Sequence, residues 1–156
     1  MKRKFFVILS SVILLASVST SVSAKPIFTP ETDIVTPFVN TGWSTKNGIE
    51  ARVYTDRTKD YPVSDDYVGI TGEKRTTGSA YYQLTIDRRL NNGVYERANS
   101  KTGTFASSTG QWKVNIDDLQ GENSHGTYRV MLKVFAYGDW DTWLGDWTSD
   151  DFVVYN

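Results

Sequence analysis

Thr127-Tyr128-Arg129-Val130-Met131-Leu132-Lys133-Val134-Phe135-Ala136-Tyr137 is the stretch that decides the fold class. In an extended chain Tyr128, Val130, Leu132, Val134 and Ala136 share one face, and Arg129, Met131, Lys133 and Phe135 share the other. An apolar period of two, rich in aromatic and β-branched residues, specifies a strand with one face in a core. The pattern repeats upstream. Over Tyr81 to Arg88, Tyr82, Leu84 and Ile86 oppose Gln83, Thr85 and Asp87. Trp112, Val114 and Ile116 alternate with Lys113 and Asn115, and Ile49 to Tyr54 alternates after the turn Lys46-Asn47-Gly48.

Shorter segments complete the set. A strand near Ile34 to Val39 belongs at an edge, because Pro37 has no amide to donate. Asp56 to Asp66 reads as a polar loop and Tyr67 to Ile70 as a short strand. Asn92-Gly93 favours a tight hairpin, since both residues tolerate positive φ. The return strand starts at Val94 and runs through Ala98 toward Phe105. Asp151 to Tyr155 is the last strand, and no segment carries a helical apolar period. About seven short strands at this spacing predict an all-β fold, a single antiparallel two-sheet sandwich over residues 33–156. Its core should hold Ile49, Val53, Leu84, Ile86, Trp112, Val114, Ile116, Tyr128, Val130, Leu132 and Val134.

Leu119 followed by Gly126-Thr127-Tyr128-Arg129-Val130 resembles the Gly-x-Tyr-x-Val/Cys lead-in to the sixth strand of immunoglobulin-like domains. The resemblance implies an immunoglobulin-like sandwich in which the Tyr128 hydroxyl ties back to backbone of the preceding loop. The whole chain also looks broadly like small exported proteins of bacilli that carry no assigned function. That likeness implies export and no activity.

The N-terminus is organised differently from the rest. Lys2, Arg3 and Lys4 precede an apolar run from Phe5 to Val18, and Val22-Ser23-Ala24 supplies small residues before Lys25-Pro26. This order is that of a cleaved secretory signal peptide over 1–24, followed by an arm over 25–32. The uninterrupted apolar stretch falls short of the ~20 residues needed to span a bilayer. Cleavage removes three of the 17 basic residues and none of the 18 acidic ones, leaving 14 against 18 and a formal charge of −4. Nucleic acid is therefore an unsuitable partner, because phosphate binding needs a basic face. No second run is long enough for stable membrane insertion, and Phe152-Val153-Val154-Tyr155-Asn156 carries no anchor signal. The expected location is secreted, extracellular. With no cysteine in the chain, the domain must hold by packing alone, whereas small exported domains often use disulfides.

Candidate chemistry concentrates in Gly138-Asp139-Trp140-Asp141-Thr142-Trp143-Leu144-Gly145-Asp146-Trp147, where three of the five tryptophans fall and Gly-Asp-Trp occurs twice. It lies between the two final strands, as one long loop or the twisted tip of a hairpin. Trp140, Trp143 and Trp147 with Asp139, Asp141 and Asp146 form the candidate binding set: indole faces stack on sugars or anchor protein interfaces, and carboxylates accept hydrogen bonds from hydroxyls. The competing reading is that the tryptophans close one end of the sandwich. Exposing all three, at ~150–250 Å² each, would reach or exceed the ~300–600 Å² largest patch of a typical monomer. One or two should therefore pack inward.

Other constellations are weaker. Asp139, Asp141, Asp146, Asp150 and Asp151 offer oxygen ligands, but their spacing departs from the helix-loop calcium motif and no Glu closes it, so no metal is assigned. His125, the only histidine, reads as a turn residue with no nucleophile setting beside it. Asp65-Asp66, Asp117-Asp118 and Asp150-Asp151 are poor acid/base pairs, because neighbours on a strand point to opposite faces. No cofactor motif appears. The sequence therefore reads as a secreted non-catalytic binding module for an extracellular protein or glycan. An immunity-like accessory protein that neutralises a toxin or enzyme, and a small carboxylate-dependent hydrolase, are the alternatives.

Overall fold

The computed structural model describes residues 41–57, 60–119 and 125–156. The expected signal peptide (1–24), arm (25–32) and edge strand at Ile34 to Val39 lie outside the described residues. In chain order the strands are β1 (Ser44–Lys46), β2 (Ile49–Thr55), β3 (Asp60–Pro62), β4 (Tyr67–Lys74), β5 (Ala80–Arg89), β6 (Tyr95–Phe105), β7 (Trp112–Asn115), β8 (Gly126–Ala136), β9 (Trp143–Thr148) and β10 (Phe152–Tyr155). One turn of 3-10 helix, Ile116–Asp118, follows β7.

Two sheets form. The smaller runs β1-β2-β4-β7, and the larger runs β3-β10-β8-β5-β6 with β9 also paired to β8. β5 and β8 make the spine of the larger sheet, in unbroken register from Ala80 opposite Ala136 to Arg88 opposite Tyr128. Alternation decides what each face does. Tyr82, Leu84 and Ile86 on β5 and Tyr128, Val130, Leu132 and Val134 on β8 point inward, where they meet Val53, Val68, Ile70 and Val114 of the smaller sheet. Ile49 and Trp112, first residues of their strands, are only partly buried against this core.

Several elements differ from their sequence reading. The Asp56 to Asp66 loop contains β3, which pairs with β10 in parallel, the one departure from antiparallel pairing among the described strands. Tyr61 in its middle is fully buried, its ring edge-on to Phe152 at 5.4 Å. Its hydroxyl donates to the Asp56 carboxylate (2.6 Å), which also accepts the Gly69 amide (2.9 Å). One carboxylate thus ties the end of β2 to β3 and β4. β4 itself runs past Ile70 to Lys74.

The two Asn-Gly turns behave oppositely. Asn47 (φ 45°) and Gly48 (φ 78°) both take the left-handed conformation and join β1 to β2 directly, as a type I′ hairpin requires. Between β5 and β6 only Gly93 has positive φ (81°). There the Gly93 amide donates to Leu90 and the Leu90 amide to Val94, so the connection is a three-residue loop and not a two-residue turn.

Candidate functional site

The tryptophan-rich segment divides into a turn and a strand. Tyr137 to Thr142 reverses the chain, and Trp143–Thr148 returns as β9 along β8. Asp139 holds the reversal. Its carboxylate accepts the Asp141 amide (2.9 Å) and the Thr142 hydroxyl (2.6 Å), while its own amide donates to Ala136 (3.1 Å). The Thr142 hydroxyl, then the Asp141 amide, keep the Asp139 carboxyl below the usual carboxylate range. Both Asp139 oxygens therefore serve the turn itself. Asp141 is exposed at the tip. Asp146 sits in β9, with Lys46 of β1 3.8 Å from its carboxylate and donating to its carbonyl.

The repeated Gly-Asp-Trp takes two structures. In Gly138-Asp139-Trp140 the tryptophan lies on the turn, 44% exposed. In Gly145-Asp146-Trp147 it lies in β9, 1% exposed, and its indole N–H donates to the Ser44 carbonyl (2.9 Å) on the opposite sheet. A Cβ on Gly145 would stand 2.9 Å from that indole and 3.0 Å from Lys46 Cβ, so only glycine leaves room for the ring between β9 and β1. Trp147 closes the core and takes no part in the surface formed by the others. Trp143 is 51% exposed.

Strand register gathers further aromatics from outside the tryptophan-rich segment. Phe135 is paired with Tyr81 of β5 on one side and Trp143 of β9 on the other. Directly paired residues share a face, so Trp143, Phe135 and Tyr81 form a row across three strands on the outer face of the larger sheet. Trp140 lies over this row, stacked on Tyr81 (4.6 Å between ring centroids, 10° between planes) and tilted against Phe135 (5.4 Å). Tyr137, 64% exposed, leans on Tyr81 from 5.4 Å. The signal for Phe135 was present in its position among Arg129, Met131 and Lys133, a large ring on the face turned from the core. Tyr81 could be added only by knowing which strand neighbours β8. One residue pair further down the same face stand Gln83, Lys133 and Asp146.

The remaining candidates serve other contacts. The His125 ring is bonded to the Asn156 side chain, and its carbonyl accepts from Arg88 (2.9 Å). Asp65 is paired with Arg57, and Asp151 accepts from the Tyr95 hydroxyl (2.6 Å) with Arg89 3.8 Å away. Asp117 and Asp118 lie in the 3-10 turn. Among the described residues no group of three or more His, Asp or Glu gathers as a metal site, and no helix is long and apolar enough to cross a membrane.

Two sheets packed face to face, with Tyr128 fully buried against Phe152 where β8 begins, define an immunoglobulin-like sandwich. The Tyr128 hydroxyl was expected to tie to backbone of the preceding loop, of which residues 120–124 lie outside the described residues. The chain belongs to the YqgA MG2 macroglobulin domain family, whose model matches residues 39–155. No curated protein matches it.

Proposed function

We propose that this chain is an exported, non-catalytic binding module that meets an extracellular partner through the aromatic tip of its β8–β9 hairpin. The observation that carries the proposal is the gathering of Tyr81, Phe135, Tyr137, Trp140 and Trp143 on one outer corner. Tyr137, Trp140 and Trp143 are there 64%, 44% and 51% exposed. At ~150–250 Å² per ring those fractions leave roughly 240–400 Å² of apolar surface, reaching the size at which a patch is often a contact site. Packing gives no reason for these rings to stand outside, since Trp147 already closes that end of the core. Hairpin tips on a rigid sandwich are also where recognition is commonly carried.

Export rests on the charged, apolar and small-residue order of Lys2 to Ala24, on the likeness to small exported proteins of bacilli, and on the occurrence of domains of this class in exported proteins. A non-catalytic role fits the acidic doublets, whose members Asp65 and Asp151 are engaged in structural bonds at separate places. The experiment is co-sedimentation with envelope preparations, and capture from culture medium, of wild type beside Trp140→Ala and Trp143→Ala. The proposal expects retention by wild type and loss in both variants at unchanged folding. Equal retention by all three would refute it.

A further inference from the structure

The surface described above also constrains what it binds. We infer that the hairpin tip binds an uncharged glycan chain, one sugar ring stacking on the open face of Trp140 with adjoining hydroxyls bonded along Gln83, Lys133 and Asp146. This inference rests on the tip being the contact surface.

The posture of Trp140 is the first argument. One face lies on Tyr81 with only 10° between the planes, and Phe135 abuts it. The 44% that remains exposed is therefore mainly the opposite face. A ring lying flat cannot insert into a partner's pocket, which is how tryptophan hot spots anchor protein interfaces. It can receive a flat partner. A pyranose offers a flat C–H surface, and its slightly positive hydrogens meet the negative face of the indole.

Pre-organisation is the second argument. Tyr81 and Phe135 fix the ring, and the Asp139 bonds to Asp141 and Thr142 fix the turn that carries it. Binding then costs little further ordering.

An apolar strip and a polar strip lie side by side on this face. Trp143, Phe135 and Tyr81 span two strand spacings, about 10 Å. Gln83, Lys133 and Asp146 follow about 7 Å along the strands on the same face. A sugar has one apolar face and a rim of hydroxyls, so an apolar strip beside amide, ammonium and carboxylate groups is complementary to it.

Charge sets the last condition. The turn Tyr137-Gly138-Asp139-Trp140-Asp141-Thr142 carries two carboxylates and no basic residue. An acidic polysaccharide would be repelled where it must stack.

The test is calorimetric titration of the full chain with oligosaccharides of β-1,4-glucan, chitin, mannan and xylan, and with oligogalacturonate as the acidic probe. At least one neutral probe should bind, with oligogalacturonate weaker. Trp140→Ala should weaken that binding at least about tenfold, equivalent to about 1.4 kcal/mol. Trp140→Tyr, which keeps a stacking face if the alanine variant is poorly folded, should lose less, and thermal unfolding of each variant shows that the fold persists. Binding of oligogalacturonate alone overturns the inference, as does binding that ignores Trp140 and Trp143. If no glycan binds while wild type, but not Trp140→Ala, retains a protein from the culture medium, the glycan inference falls and the contact surface stands.

Discussion

Removing the Trp147 indole should be among the costliest single changes to this domain. The side chain is 1% exposed, sits opposite Leu132 in the β8–β9 register, and donates its N–H to Ser44 across the sheets. Trp147→Ala would leave a cavity that the paired strands cannot collapse into, a loss of about 3–5 kcal/mol. Against a total stability of about 5–15 kcal/mol for a domain of ordinary size, that is a large fraction. At a few degrees per kcal/mol the melting temperature should fall by on the order of 10–25 °C. Trp147→Phe separates the two contributions. It retains much of the apolar contact, and the Ser44 carbonyl it releases lies in an exposed residue that water can reach. The cost should then drop to about 1–2 kcal/mol. Urea and thermal unfolding followed by circular dichroism measure both. An alanine variant within about 1 kcal/mol of wild type would show that the indole does not join the sheets as described.

Three further outcomes follow from other parts of the structure. Trp140→Ala and Trp143→Ala, which remove rings already half in water, should each cost no more than about 1.5 kcal/mol by the same assay, mostly from lost ring contacts. Asp56→Ala should cost about 2–3 kcal/mol, because it strips the buried Tyr61 hydroxyl and the Gly69 amide of one shared acceptor; denaturant unfolding reads this. On the alkaline side stability should hold to about pH 10, the value of tyrosine in an unfolded chain, and decline above it. Burial, with the Asp56 bond second, pushes the Tyr61 hydroxyl well above its usual value, and burial also raises Tyr54, Tyr82 and Tyr128. The unfolded chain then gives up protons that the folded chain keeps. Lys74, pushed down by burial, works with the opposite sign and only softens the decline. Tyr61→Phe should make the alkaline limb shallower in urea midpoints taken between pH 9 and 11.5.

The long strands were legible because their whole length alternates. β5 and β8 announce themselves in Tyr82-Leu84-Ile86 and Tyr128-Val130-Leu132-Val134, and their burial in one core follows from that pattern alone. β3 was not legible. Three residues carry no period, and Asp60-Tyr61-Pro62 is extended because β10, some ninety residues later, pairs with it. The Gly-Asp-Trp repeat depends on distant neighbours in the same way. Identical tripeptides take their conformation from what lies across from them, Ala136 and the chain reversal in one case, Lys46 and Ser44 in the other. The site was half legible. The concentration of tryptophan drew notice, yet which ring is core and which is surface depends on the bulge between Val134 and Phe135 that sets the β9 register. Tyr81 enters the surface only through strand order, which no local pattern encodes.

The measurement that bears most directly on the central claim is amide hydrogen exchange of the full chain with and without the envelope fraction that retains it. Protection should appear at Tyr137 to Trp143 and at the neighbouring ends of β5 and β8, and should vanish in a Trp140→Ala/Trp143→Ala variant whose melting temperature stays within a few degrees of wild type. Protection centred elsewhere, such as the outer face of β2 and β4, with the tip exchanging as in the free protein, would contradict the account.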